Sequence, residues 1–486
     1  MGSAMIEELI FKWAESTPDK PALIHNGIPI SYKSLSDLIK LAKGYFSRRG
    51  YHGPGYVALY QYNLSHFWIL SLALRSLGFT TISVPNKAWF SRPSLPSIRY
   101  VFTTEGDNQN GLNDCCAQLG VPVISVSLAN EPVNSIDDSI EKYSYGGHIL
   151  LTSGTTGTYK MVLMTPEMDK VFLQRKVDLT GMGQDSVLCV FGCGGWTGVG
   201  YRWAASPWLV GGTTVIQQSP NPHRVFSDHN LTHAVLIPSA LATILAAPNN
   251  AFACNDKLHL FVGGGAMTRA QVGEIKARIT PNLYNWLAST EAGCIAVTPI
   301  ETPDDHRWHK LVADRIVEIV DDDNNPVPNG TMGRIRIGAE GGPNGYLNDE
   351  TTSREFFQNG YFYPGDMAAM RHDGRVSLYG RITDVINMGG QKVLPFPIED
   401  RLCDELGVNG VCIFSKQSSS GEEDVYVVIE SESPIENNQK IPLIKRALSG
   451  FPRAYVYYVK KLPRNDFGKI LRQQVRAEFE TNLRSS

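Results

Sequence analysis

Apolar runs of strand length alternate with runs of helical spacing over the first 300 residues, and this alternation constrains the fold most strongly. Residues 35–46 carry apolar side chains at helical spacing, with Ser34 and Asp37 positioned like a capping pair at the helix start. A second helical run, 67–77, ends at Gly78, a common stop signal. Strand-like runs occur at 56–60, 121–126, 212–216, 234–237 and 258–262. Strands alternating with helices predict layered α/β subdomains.

The pattern changes after about residue 310. Residues 315–320 and 333–337 alternate apolar and polar side chains beside turn-rich segments, which predicts a β-rich subdomain. The tail has its own mixture of helical and strand-like runs, which predicts a small α+β domain. We therefore expect a large N-terminal domain, residues 1–381, and a C-terminal domain, residues 382–486. A chain of 486 residues is longer than one hydrophobic core usually serves, in agreement with this division.

Composition argues against several classes of function. The net charge is −3 without a long charged run, so neither nucleic acid nor an anionic membrane is an expected partner. The 8 cysteines form no CxxC pair, which favours reduced thiols and a cytoplasmic location. The 11 histidines lack the HExxH spacing of a zinc site. The most apolar stretch, 67–77, is too short to span a bilayer.

A loop of glycine and hydroxyl residues follows the strand-like run 149–151. The loop consists of Thr152, Ser153, Gly154, Thr155, Thr156, Gly157, Thr158, Tyr159 and Lys160. Backbone N–H groups, hydroxyls and a lysine can converge on phosphate oxygens, so the loop predicts a phosphate site. A solvated loop without a ligand is the alternative for the loop alone. The P-loop of kinases and ATPases is disfavoured, because Met161 follows Lys160 where that pattern has Ser or Thr.

The loop resembles the Thr/Ser-Ser-Gly-Thr-Thr-Gly-x-Pro-Lys-Gly signature of the adenylate-forming (ANL) superfamily. That family includes acyl-CoA synthetases, aryl-acid ligases, peptide-synthetase adenylation domains and luciferase. Tyr159 and Met161 replace the family's Pro and last Gly. Further segments resemble the family's signatures in the family's order: 263–266, 285–291, 345–349, 361–366, 380–392 and 463–470.

The resemblance assigns two of these segments to the nucleotide. The turn of Gly264, Gly265 and Ala266 would pack its backbone against adenine, because a Cβ at the glycines would hold the ring away. Thr290 would contact the α-phosphate, and Glu291 would hold Mg²⁺, a cation that prefers carboxylate oxygens.

One feature of the adenine site departs from the family. Leu287 and Ala288 replace the family's Tyr-Gly. The stacking ring is therefore missing, and we expect adenine to pack against aliphatic groups or a group supplied elsewhere.

The ribose and the domain hinge are assigned in the same way. Asp366 would accept hydrogen bonds from both ribose hydroxyls, and Arg381 would bind ribose and phosphate oxygens through its planar fork. The hinge residue aligns with Thr383, or one position on with Asp384. Gly389 would line the approach of a thiol in a second reaction step. In the family the small C-terminal domain is mobile and rotates about this hinge.

Lys469 lies in a segment that resembles the family's Pro-x-x-x-x-Gly-Lys signature. The resemblance implies that it bridges the substrate carboxylate and the α-phosphate. A fixed cation there would stabilise the negative charge that gathers on phosphorus in the transition state. Most single lysines are solvated surface charges, and the Gly-Lys context near the C-terminus is what favours the catalytic role.

The acid pocket of the family lies partly on the segment that is 191–198 in this chain. Gly194 and Gly195 would open room there, and Trp196 would form an apolar wall. A structural role for Trp196 in the core is nearly as well supported. The segment has neither the His of many CoA ligases nor the Asp by which peptide synthetases bind an α-ammonium group. We therefore expect an apolar or aromatic carboxylic acid.

The sequence as a whole predicts an acid–thiol ligase that uses ATP and Mg²⁺ to form an acyl-AMP and transfers the acyl group to coenzyme A. A stand-alone enzyme that loads the phosphopantetheine of an acyl carrier protein is the nearest alternative. A luciferase-like oxygenase and a catalytically silent nucleotide-binding protein are further alternatives. The departures at Tyr159, Leu287, Ala288 and Pro364 favour silence, whereas Glu291, Asp366, Arg381 and Lys469 favour activity.

Overall fold

The computed structural model describes residues 5–484 except 93, 107–110, 130, 133–142, 154–158, 192, 219–221, 229, 303, 389–390, 418–422, 436–438, 452 and 466–467. The strands are β1 (Pro21–His25), β2 (Ile28–Ser31), β3 (Gly55–Leu59), β4 (Phe79–Ser83), β5 (Ile98–Thr104), β6 (Val123–Val126), β7 (His148–Ser153), β8 (Tyr159–Met164), β9 (Val187–Phe191), β10 (Thr213–Gln217), β11 (His233–Leu236), β12 (His259–Gly263), β13 (Leu283–Ser289), β14 (Gly293–Pro299), β15 (Val317–Val320), β16 (Met332–Gly338), β17 (Phe357–Gln358), β18 (Tyr361–Phe362), β19 (Asp366–Met370), β20 (Val376–Arg381), β21 (Ile386–Met388), β22 (Gln391–Val393), β23 (Val411–Gln417), β24 (Glu423–Glu430) and β25 (Ala454–Val459).

The α-helices are α1 (Ile6–Ser16), α2 (Tyr32–Arg48), α3 (Leu64–Ser76), α4 (Leu112–Gln118), α5 (Pro166–Thr180), α6 (Ala204–Leu209), α7 (Val225–Asp228), α8 (Pro238–Leu245), α9 (Arg269–Arg278), α10 (Glu350–Phe356), α11 (Phe396–Leu406), α12 (Ile441–Ala447) and α13 (Arg472–Arg484). A π-helical turn (Val199–Trp203) precedes α6, and a 3₁₀ turn (Ile382–Asp384) follows β20. Further 3₁₀ turns cover Lys87–Ser91 and Pro222–Arg224.

Two large sheets form the N-terminal body. One has the order β6-β5-β3-β4-β7-β8, and the other has the order β14-β13-β12-β11-β9-β10-β1-β2. Most neighbours are parallel, whereas the edge pairs β7–β8, β13–β14 and β1–β2 are antiparallel. Parallel strands need crossover helices on the sheet faces, so the layered α/β prediction is confirmed.

Helix α3 is mostly apolar on every face because it is buried on every side. All of its residues from Leu64 to Arg75 except His66 are buried, within a core that also contains Trp208 and Tyr201. A helix that packs on all sides cannot be amphipathic. Helix α2 is a different case, since it begins at Tyr32 and its cap is Ser31, whose side chain accepts from the Ser34 amide. The predicted cap at Ser34 was therefore three residues late.

The β-rich subdomain is one sheet with the order β17-β18-β16-β19-β20, and β15 pairs with β16. The C-terminal part contains the hairpin β21–β22 and the sheet β23-β24-β25, with α11 and α12 packed on the latter's core. The expected α/β body, β-rich subdomain and smaller C-terminal α+β domain are thus all present. Strand β20 ends at Arg381, and the 3₁₀ turn Ile382–Asp384 leads from it to the hairpin β21–β22.

Candidate active site

One cavity of about 300 Å³ lies where the body, the β-rich subdomain and the C-terminal domain meet. Eight of the residues singled out in the sequence line it: Thr152, Lys160, Gly264, Thr290, Glu291, Asp366, Arg381 and Lys469. Their positions in the chain span more than 300 residues, so the fold brings together what the separate motifs predicted. We call the part around Glu291, Asp366 and Lys469 the charged half of the cavity.

Glu291 follows strand β13 and is only 7% exposed. The Tyr346 hydroxyl donates a hydrogen bond to its Oε1 at 2.8 Å. The neighbouring Thr290 carbonyl accepts from the Arg202 guanidinium at 2.9 Å. These two contacts fix the turn, and they leave the carboxylate free to use its remaining lone pairs toward the cavity.

Asp366 begins β19 and pairs with Arg381 at the end of the neighbouring β20, at 3.1 Å between Oδ1 and Nε. Antiparallel pairing puts the two residues directly opposite one another. Burial raises the pKa of Asp366, while the positive charges of Arg381 and Lys469 oppose that rise. Arg381 also donates to the Pro364 carbonyl, so the ion pair is anchored to the turn before β19.

Lys160 is the second residue of strand β8. Its ammonium lies 3.3 Å from the centre of the Phe356 ring and 4.8 Å from that of Tyr346. Burial lowers its pKa, against the opposing effect of Glu291. Lys160 therefore has aromatic faces beside it and faces the same space as the Glu291 carboxylate.

Lys469 reaches the cavity from the C-terminal domain on a tight loop. Its amide donates to the Asn465 side chain at 3.0 Å, and its carbonyl accepts from the Asn465 amide at 2.9 Å. Gly468 has φ +80°, a left-handed conformation that glycine adopts without strain. The residue is exposed because the cavity is open to solvent, yet the protein around it and the nearby Arg381 lower the pKa of its amine. Asp366 and Glu291 favour the charged form.

Only one of the three predicted residues in the turn after β12 is among the described residues that line the cavity. Gly264 lines the cavity together with Leu287 and Ala288, the two residues that replace the family's Tyr-Gly. Gly265 and Ala266 are not among the described lining residues, and a Cβ at Gly265 would lie 3.0 Å from Pro238. The flat side of this part of the cavity is therefore aliphatic.

Two glycines of the segment 193–198 lie close to aromatic rings. A Cβ at Gly194 would lie 1.9 Å from the Trp196 ring, and one at Gly195 would lie 2.3 Å from Phe67. Glycine is required here so that these rings can pack, and the space is already filled. Gly194 and Trp196 line a separate cavity of about 80 Å³, whereas the main cavity is lined from this region by Gly198. The prediction that Gly194 and Gly195 open room for a substrate stays a prediction, since Gly194 lines the smaller cavity and neither glycine is among the described residues that line the main one.

Another end of the main cavity is lined by residues to which the sequence assigned no role. Trp203 and Trp286 pack edge to face with ring centres 4.7 Å apart, and Lys176 lies over both. Val235, Cys294 and Ile295 complete an apolar lining. We call this end, with Lys176 and Arg202, the aromatic half. Helix α5 carries other basic residues, so no sequence signal separates Lys176 from surface lysines.

Several predicted residues lie outside the described part of the chain: Gly154, Thr155, Thr156, Gly157 and Gly389. Ser153 ends strand β7 and pairs with Tyr159 across the β7–β8 hairpin. Among the described residues no cluster of three or more His, Cys, Asp or Glu is arranged to hold a metal ion. No helix in the described ranges is both long and apolar enough to cross a membrane.

Ion pairs join the C-terminal domain to the body. Arg307 contacts Asp400 at 2.7 Å and Asp404 at 3.1 Å, both on helix α11. Within the C-terminal part, Arg472 contacts Asp384 at 3.2 Å and Glu399 at 3.0 Å. These contacts hold the domain in the orientation that directs Lys469 into the cavity.

Comparison with known proteins shows which family of enzymes the chain is similar to. The model of the family described as AMP-binding enzyme matches residues 148–347, which include β7, β8 and the turn with Glu291. The chain is therefore similar to AMP-binding enzymes over this segment.

Individual relatives are distant. Tyrocidine synthase 3 of Brevibacillus parabrevis is 22% identical over 96% of this chain and 8% of its own length. A long-chain-fatty-acid–CoA ligase of Escherichia coli is 30% identical over 46% of this chain and 40% of its own. The chain thus spans less than two thirds of these relatives. O-Succinylbenzoate coenzyme A synthetase from Bacillus subtilis, solved in complex with ATP and magnesium ion, has the same fold with a TM-score of 0.81, 18% identity and coverage of 96% and 99% of the two chains.

Proposed function

We propose that the protein is an AMP-forming ligase that activates a carboxylic acid with ATP and transfers the acyl group to a thiol. One observation carries the proposal: Lys469 of the C-terminal domain lines the same cavity as Glu291, Asp366 and Arg381 of the body. A cation, a metal-binding carboxylate and a ribose-binding ion pair that face one space fit ATP and a carboxylate substrate together.

In the first half-reaction a carboxylate oxygen of the acid attacks the α-phosphorus, and pyrophosphate leaves. The substrate is itself the nucleophile, so the protein supplies alignment and charge. Lys469 stabilises the negative charge that builds on the phosphoryl oxygens, while Thr290 positions the α-phosphate. Asp366 accepts from the ribose hydroxyls, and Arg381 holds Asp366 in position. Lys160 and the phosphate loop, residues 152–160, bind the leaving phosphates.

Glu291 fits a magnesium ion by its chemistry. It is a buried carboxylate with one oxygen held by Tyr346, and hard divalent cations bound to phosphates use one or two protein carboxylates. Mg²⁺ supplies neutralisation of phosphate charge when bound. The complex of the B. subtilis synthetase with ATP and magnesium supports both cofactors.

In the second half-reaction a thiol attacks the acyl-AMP and displaces AMP. We propose domains 1–381 and 382–486, with the C-terminal domain rotating at residues 382–384 so that Lys469 leaves and Gly389 approaches. Coenzyme A is the proposed acceptor, by likeness to the CoA ligases among the relatives. The match to a peptide synthetase over 96% of the chain supports the second candidate, a carrier-protein pantetheine.

An acid-dependent exchange of ATP with pyrophosphate tests the first half-reaction. Exchange with at least one acid of a panel, abolished by Lys469→Ala, is the expected result. Lys461→Ala is the matched control, because Lys461 is an exposed lysine of the same segment. Lack of exchange with every acid, although ATP binds, would contradict the proposal. Acyl transfer to coenzyme A against transfer to a carrier protein then separates the two acceptors.

A further inference from the structure

Lys176 is a charged side chain buried on helix α5. It is only 7% exposed and lies on the face of α5 that packs against the aromatic half of the cavity. Its ammonium is 4.0 Å from the Trp203 ring centre and 4.4 Å from that of Trp286. Among the described residues it has no carboxylate within ion-pair distance. A buried ammonium normally has such a partner, because losing its hydration is costly.

A second cation lies nearby without a carboxylate of its own. Arg202 is 4% exposed and also lines the cavity. It donates to the Thr290 carbonyl and to the Met164 sulfur, and its plane lies 4.2 Å from the Phe172 ring centre. Its Nε is buried without a hydrogen-bond acceptor among the described residues. Two buried cations thus face one side of the cavity.

The nearest carboxylates already have partners. Asp169 pairs with Arg75 at 2.8 Å and accepts from the Tyr201 hydroxyl at 2.7 Å. Glu291 accepts from Tyr346 in the charged half. Asp169 and Glu291 favour the charged form of Arg202, whereas no carboxylate of the described residues acts on Lys176 in the same way.

We infer that the acid activated in this cavity carries a second negatively charged group, which binds Lys176 while Arg202 adds to the positive potential. The inference rests on the proposed ligase function and specifies its substrate class. One carboxylate of the acid faces Lys469 and Thr290, and the second anionic group contacts Lys176 beside the tryptophan rings. The apolar walls leave room for an aromatic or aliphatic spacer between the two.

The protonation of Lys176 supports this arrangement. Burial lowers its pKa to about 7, with Arg202 acting in the same direction and Cys294 opposing it. Burial raises the pKa of Cys294 to about 12, so that thiol stays neutral. An anionic group of the substrate would favour the ammonium form, and the empty site would hold a mixture of both forms near pH 7.

Sets of three acids that differ only at the far end give the test. Each set has a terminal carboxylate, carboxamide or methyl group on the same spacer, with aromatic and straight-chain spacers. We expect kcat/KM in the exchange assay to be about 10- to 100-fold higher for the carboxylate than for the methyl acid. Lys176→Met should remove that preference while exchange with the methyl acid persists, which also shows that the variant folds.

Lys176→Arg should keep the preference, and Lys170→Met, an exposed lysine on the same helix, should leave it unchanged. The wild-type carboxylate-to-methyl ratio should fall about tenfold from pH 6 to pH 8, because kcat/KM follows the ammonium fraction of the free enzyme. Equal rates for carboxylate and carboxamide acids, or an equal loss for all three acids in Lys176→Met, would overturn the inference.

Calorimetric binding of the same acids separates this inference from the ligase function, because binding needs no turnover. Carboxylate-selective binding that depends on Lys176, without any exchange, would contradict the proposed function and support the acid class. If exchange occurs but the three acids of a set bind with equal affinity, the ligase function is supported and the proposed acid class is overturned.

Discussion

The two halves of the cavity hold their charges in opposite ways. In the charged half the two carboxylates have protein partners: Asp366 pairs with Arg381, and Glu291 accepts from Tyr346. In the aromatic half Lys176 and Arg202 are deeply buried and have no carboxylate partner among the described residues. We infer from this comparison that the charged half is preorganised for a ligand of fixed shape. The aromatic half, in our proposal, gains its counter-charge from the ligand.

The largest expected effect is at Lys469, where the charged half acts on every substrate alike. Lys469→Ala should lower acid-dependent exchange about 1,000-fold, because the group stabilises charge that develops only in the transition state. The loss should be the same for acids with and without a second anionic group. A loss confined to one class of acid would break the distinction between the halves.

Glu291→Gln should have the next largest effect. Glutamine keeps the size of the side chain and the acceptor for Tyr346 but removes the charge. We therefore expect the magnesium concentration at half-maximal exchange to rise about 100-fold, with the fold retained. A magnesium titration of the exchange rate measures it. Glu340→Gln, at an exposed carboxylate, is the control. An unchanged magnesium midpoint would show that Glu291 does not hold the metal.

Asp366→Asn should raise the KM for ATP by about 10- to 30-fold, since hydrogen bonds to a charged acceptor contribute about 1.5–3 kcal/mol. The KM for the acid should change little, because Asp366 lies in the other half of the cavity. Steady-state kinetics with each substrate varied in turn would measure both constants. Equal changes in the two would mean that the halves are coupled through the Asp366–Arg381 pair.

The smallest effect is expected at the domain contact. Arg307→Ala should lower exchange about threefold, because partly exposed ion pairs contribute up to about 1 kcal/mol. Burial raises the pKa of Asp400 to about 6, so its carboxylate pairs with Arg307 above that pH and is protonated below it. The ratio of wild-type to variant rates should therefore shrink as pH falls through 6. A constant ratio from pH 5 to 8 would show that Asp400 takes no part.

The charged half could be predicted from the sequence because its residues lie in short motifs with glycine or turn residues, as Lys469 follows Gly468. The layered fold was predictable because periodicity reports directly on strands and helices. Lys176 could not be found in this way, since Lys170 and Lys176 share one helix and only the packing of α5 separates the exposed one from the buried one. The surroundings of Gly194 and Gly195 could not be predicted either, since they depend on how the Trp196 and Phe67 rings pack.

The ion pair between Asp384 and Arg472 has a mechanical consequence. Arg472 begins the helix directly behind the Lys469 loop, and its contacts with Asp384 and Glu399 make these groups one rigid lever. In the proposed rotation of the C-terminal domain, we expect the backbone to bend ahead of Asp384, with Thr383 as the pivot. Arg381 lies two residues before that pivot. We therefore expect withdrawal of the lysine and loosening of the clamp on the ribose to be one motion.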